Sequence, residues 1–104
     1  MHHNQSQGAW YRLSLMEQLA NIGSEVSRTK KWCGKNEQFF NNAIERCLEL
    51  FDLTMSDQRH SHRLKEIARA RELFIDATLE KQQYHTSLND LDNYFLAFAR
   101  AVRT

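Results

Sequence analysis

Arg59, His60, His62 and Arg63 fall within five consecutive positions, with Lys65 just beyond them. They crowd the predicted start of a helix, where the first-turn N–H groups have no intrahelical partner and the macrodipole is already positive. Cations added to that end make a candidate site for an anion, a phosphate, a nucleotide or RNA. The same cations have a second use. Residues 36–57 carry one basic and five acidic groups. In an antiparallel hairpin, Glu45, Glu49 and Asp52 would lie beside the basic cluster and neutralise it through solvated salt bridges. Both readings are open at the level of the sequence.

Arg71 is the second residue of interest. It stands at the centre of an apolar helical arc formed by Leu64, Ile67, Phe74 and Ile75. A guanidinium there needs a partner or water, because an unpaired buried charge is costly. Glu17 and Asp92 border the apolar arcs of their own helices and are the carboxylates expected within reach. The pattern predicts a structural ion pair. It leaves open an anion-binding pocket or a rotated helix that exposes Arg71.

Other chemistry finds little support. No Glu-x-x-His occurs, so a carboxylate-bridged di-metal bundle is not indicated. His60 and His62 are two residues apart and point to different helix faces, which makes them poor joint metal ligands. Three glycines provide no phosphate-cradling loop, and no local signature marks a nucleophile. No catalytic residue, metal or cofactor is therefore expected. Cys33 and Cys47 do not form a Cys-x-x-Cys, and they read as reduced thiols of a cytoplasmic protein.

The elements that must position these residues are helices. The chain has 104 residues, no proline and three glycines, so breakers are almost absent. Its formal net charge of +1 does not imply wholesale attraction to nucleic acid or to a membrane. Its apolar stretches are far shorter than the roughly 20 residues of a spanning helix. The N-terminal MHHNQSQGAW lacks an apolar signal core, and residues 1–8 are expected to be flexible.

Helical periodicity predicts four segments at 9–32, 37–53, 61–81 and 88–103. In the first, Leu13, Met16, Ala20, Gly23 and Ser27 form one stripe, and Leu15, Leu19, Ile22 and Val26 an adjoining one. Ser14, Glu17, Gln18, Asn21, Glu25 and Arg28 fill the opposite half. The small residues Ala20, Gly23 and Ser27 would admit a close neighbour. Gly34 ends this helix in the turn Cys33–Asn36. Phe40, Ala43, Ile44, Cys47, Leu48 and Phe51 face inward from the second segment, widened by Phe39 and Leu50. Ser56 or Asp57 caps the third. Ser87, with Asp90 three residues on, is the expected cap of the fourth, whose face is Leu88, Leu91, Tyr94, Phe95, Phe98 and Val102.

Four helices joined by short loops predict one all-α domain over 1–104, an antiparallel up-down-up-down four-helix bundle. In size and helix count this resembles the ribonuclease-type four-helix domains called HEPN. Their Arg, four to six residues, then His motif is missing, so the resemblance implies architecture without ribonuclease activity. Segment two, NEQFFNNAIERCLELFDL, resembles one helix of a tetratricopeptide repeat, but the unit does not recur. The stretches SLMEQLANIGSEVSR, LKEIARARELFIDA and DLDNYFLAFARA are similar to a family of small uncharacterised bacterial all-helical proteins. That likeness spans about Trp10 to Arg103 and implies fold and provenance.

Segments one and two each carry roughly half a wheel of apolar residues, wider than a lone small bundle requires. Trp10, Tyr11, Trp32 and Tyr84 add contact anchors near segment ends. The expected function is a non-enzymatic, self-associating interaction module, a homodimer with scope for a further protein partner. The alternative is an RNA- or nucleotide-associated accessory protein that uses the basic helix start.

Overall fold

The computed structural model describes residues 8–79 and 84–103. Every regular element among the described residues is a helix. Helix α1 is Leu15–Trp32, α2 is Glu37–Met55, α3 is Leu64–Leu79 and α4 is Tyr84–Arg103. A 3-10 segment, Gln58–Arg63, stands between α2 and α3.

Local chemistry sets the boundaries. Ser14 and Glu17 form a reciprocal capping box: Ser14 Oγ accepts from the Glu17 N–H, and Glu17 Oε1 accepts from the Ser14 N–H at 2.9 Å. The helix read from the sequence as 9–32 is therefore broken. Residues 8–10 belong to a separate helical turn, 11–14 form a bend, and α1 begins at Leu15. Gly34 ends α1 as expected and holds φ at 75°, where a side chain would be strained. Asn36 caps α2 through its bond from the Phe39 N–H. The last helix starts at Tyr84, a turn before the expected cap, so Ser87 lies inside α4. The flexibility expected of residues 1–8 falls outside the described residues for positions 1–7.

Helix α1 packs most extensively on α4 and α2, while α3 closes against α4 and α2. Pairwise contacts fix the registers. Trp32 meets Phe39, and the Cys47 thiol faces the Ile22 carbonyl, so α1 and α2 run antiparallel. Ser27 reaches Asp92 and Gly23 lies against Phe95, which sets α1 and α4 antiparallel. The core is aromatic at its centre. Phe51, Phe74 and Phe95 are fully enclosed, with ring centroids 6.1 Å apart for Phe51–Phe74 and 6.0 Å for Phe51–Phe95. Leu19, Ile22 and Val26 of α1 complete it.

Gly23 explains the small-residue stripe. A Cβ at this position would stand 2.7 Å from Phe95 Cβ, so the stripe serves the closeness of α1 and α4.

Candidate functional site

The richest concentration of buried polar chemistry is where the 3-10 segment meets the start of α1. Asp57 sits at its centre. Its side chain caps the 3-10 segment by accepting from the Arg59 N–H at 3.1 Å. The Arg59 side chain folds back onto the same carboxylate, with Nε 3.0 Å from Oδ1 and Nη2 2.6 Å from Oδ2. Nη2 also donates to the Leu13 carbonyl at 2.8 Å, tying the segment to the bend before α1.

Gln18 enters from α1. Its Nε2 donates to Asp57 Oδ2 at 3.2 Å and to the Trp10 carbonyl at 3.0 Å. The Trp10 indole donates to Thr54 Oγ1 at 3.0 Å, so the last turn of α2 joins the network. On the outer side, Ser56 Oγ donates to the Leu53 carbonyl and accepts from the Tyr11 hydroxyl at 2.7 Å. Four stretches of chain are thus cross-linked by Trp10, Gln18, Thr54, Asp57 and Arg59.

His60 completes the cluster. It is 7% exposed, and its φ/ψ of −109° and 19° depart from helical values, which marks the kink between α2 and α3. Its Nε2 lies 3.4 Å from Asp57 Oδ2 without a hydrogen-bond partner. Gln18 Oε1 is likewise buried and unpartnered.

The electrostatics follow from these contacts. The Arg59 side chain, opposed in part by burial and helped by Gln18, holds the Asp57 carboxyl well below the usual carboxylate range. Burial pushes His60 below its ordinary value, against the pull of Asp57. An Asp so strongly acidic is a poor proton acceptor near neutrality. The arrangement is suited to holding chain segments together.

The structure places the residues expected to bind an anion as follows. Arg59 is engaged with Asp57. Arg63 pairs with Glu66, Nε to Oε1 at 2.8 Å, and Glu66 also accepts from the Tyr94 hydroxyl at 2.8 Å. His60 is buried, and His62 is exposed. The four therefore do not converge on one open site. The anion at this helix start is the chain's own Asp57. Of the three carboxylates expected to neutralise the cluster, Glu49 pairs with Arg46 and Asp52 with Arg71.

Arg71 is not a buried charge. Its side chain is 30% exposed, and Nε donates to Asp52 Oδ1 at 3.0 Å, Asp52 itself being 62% exposed. Neither expected carboxylate is its partner: Glu17 closes the capping box, and Asp92 receives Ser27 and Lys30. The long stem carries the guanidinium out of the apolar arc to the rim between α2 and α3, a common solution for this side chain.

Periodicity missed Gln18 and Glu25, both placed on the polar half of α1 and both buried. Because α1 is flanked by both α2 and α4, its burial reaches past the apolar stripes. Trp10 and Thr54 were missed as partners because the bend at 11–14 brings them together. The Ser14-x-x-Glu17 capping signature was the available signal for that bend.

Cys33 and Cys47 are free thiols, both buried. Burial raises both, and the nearby Glu25 charge raises Cys47 further, so neither is a primed nucleophile. Among the described residues, no three His, Cys, Asp or Glu side chains gather to hold a metal ion, and no helix is long and apolar enough to cross a membrane. Compared with protein-family models, curated proteins and solved structures, the chain matches none.

Proposed function

We propose that this chain is a non-enzymatic helical module whose role is association, first with a second copy of itself. The single observation that carries this reading is the amount of apolar side chain left in solvent. Met16, Phe39, Leu64, Leu73, Leu79, Tyr94, Leu96 and Val102 are each at least 40% exposed, and Leu79 reaches 72%. Isolated exposed apolar residues are ordinary, but this many on so short a chain supports an interface. A two-fold pair is the commonest closed assembly.

The helix registers support the up-down-up-down bundle as the arrangement of the subunit. Phe39 and Met16 lie on the two helices whose apolar arcs are widest in the sequence. The alternative, an RNA- or nucleotide-associated role at the start of α3, has less support, because Arg59 and Arg63 are already paired with Asp57 and Glu66.

Light scattering across a hundredfold range of concentration tests the proposal. The expected mass is twice the chain's 12.3 kDa. A mass that stays at one chain throughout overturns self-association.

A further inference from the structure

The buried cluster at the α2–α3 joint contains a group that the cluster does not satisfy. His60 is enclosed at the kink, and its Nε2 finds no donor or acceptor although Asp57 Oδ2 is 3.4 Å away. Asp57 is committed to other bonds. It receives Gln18 from α1 and three donors from Arg59, and through Arg59 it is tied to the Leu13 carbonyl. The joint is thus closed around an imidazole whose Nε2 makes no hydrogen bond.

We propose that His60 makes the α2–α3 joint an acid-released latch on the start of α1. A proton on His60 would place a second cation beside a carboxylate that Arg59 already neutralises, with the imidazole itself buried. The charged groups that act on His60 are Asp57, Arg59 and His62, all on the joint itself. The element packed on it from α1 contributes the uncharged Gln18 through Asp57. One carboxylate therefore serves two cations, and the third group, His62, adds repulsion. Proton uptake is better accommodated when the joint swings away from Gln18 and the bend at 11–14, so that the imidazole reaches water.

The sign follows from linkage. A histidine whose folded value is depressed binds fewer protons closed than open, so closure is favoured above the ordinary value of about 6.5 and is lost as pH falls below it. Burial is the main cause of that depression here, with His62 and Arg59 adding to it and Asp57 opposing it. The carboxylates Asp57 and Glu66 are both held low, so their own protonation falls in a separate, more acidic window.

The indole N–H of Trp10, bonded to Thr54 Oγ1, reports the latch, and the backbone N–H of the fully buried Val26 in α1 is the internal control. Solvent-exchange protection of both is followed by NMR on the full chain from pH 7.5 to 5. The expected result is loss of Trp10 protection below about pH 6.5 with Val26 unchanged, abolished in His60→Gln and retained in His62→Gln. The same loss in His60→Gln, or constant Trp10 protection in the wild type, overturns the latch. Should His60→Gln fail to fold, the titration of the His60 ring in the wild type decides. A midpoint below 6.5 supports the proposal, and one at or above 6.5 overturns it.

Discussion

The α1–α4 seam and the α2–α3 joint are held by opposite means. The seam is a matter of shape: Gly23 lets α1 approach until Phe95 fills the space, and Phe95 meets Phe51 edge to face. Its polar groups, Ser27, Lys30 and Asp92, stay at the edge. The joint is a matter of hydrogen bonds: Asp57, Gln18 and His60 are buried, and a single carboxylate ties α1 to the segment after α2. Apolar packing is non-directional and survives small displacements, whereas a buried polar network depends on every member being satisfied. The joint leaves Gln18 Oε1 and His60 Nε2 unsatisfied, so it is the weaker of the two.

The largest expected effect breaks the joint. Asp57→Ala removes a buried hub and the cap of the 3-10 segment, and should lower stability by about 2–3 kcal/mol, the scale of a charge-assisted hydrogen bond together with a cap. Urea denaturation measures it, and a loss below about 0.5 kcal/mol, the level of an ordinary surface change, would mean that the network contributes little.

Gly23→Ala probes the seam. Alanine favours a helix by up to about 1 kcal/mol over glycine, and overpacking costs about 1–3 kcal/mol. The new Cβ would meet Phe95 Cβ, which cannot turn away without moving α4, so the variant should be less stable by about 1–2 kcal/mol net. A variant more stable than wild type would show that the seam has slack.

The smallest effect belongs to the rim. Arg71→Ala removes a pair with the exposed Asp52 and should cost less than about 1 kcal/mol, the usual scale for such pairs. A loss of about 3 kcal/mol or more in the same denaturation would restore the buried-charge reading of Arg71.

This division also decides what was legible in the sequence. The seam could be read: Leu19, Ile22, Val26, Leu88, Leu91 and Phe95 recur at helical spacing, and Gly23 stood out as room for a neighbour. The turn at Gly34 was equally plain. The joint was only half visible. Asp57 showed as a cap, but Gln18 looked like surface because periodicity ranks residues by polarity and not by what packs over them. His60 and Arg59 read as open cations because their neutralising group was sought across the hairpin, when Asp57 stood two residues before Arg59. The Arg71 reading failed for a related reason: a wheel places Cα positions, and a stem of three methylenes to the guanidinium can leave the arc.

Native-state hydrogen exchange compares the two regions in one experiment. Amides of α1 and α4 around Ile22–Val26 and Leu91–Phe95 should exchange only through global unfolding. The His60 N–H, bonded to the Asp57 carbonyl at 3.0 Å, and the Leu64 N–H, bonded to the Ser61 carbonyl, should exchange through a cheaper local opening that responds little to denaturant. Joint amides as protected as those of the seam, with the same denaturant dependence, would contradict the account.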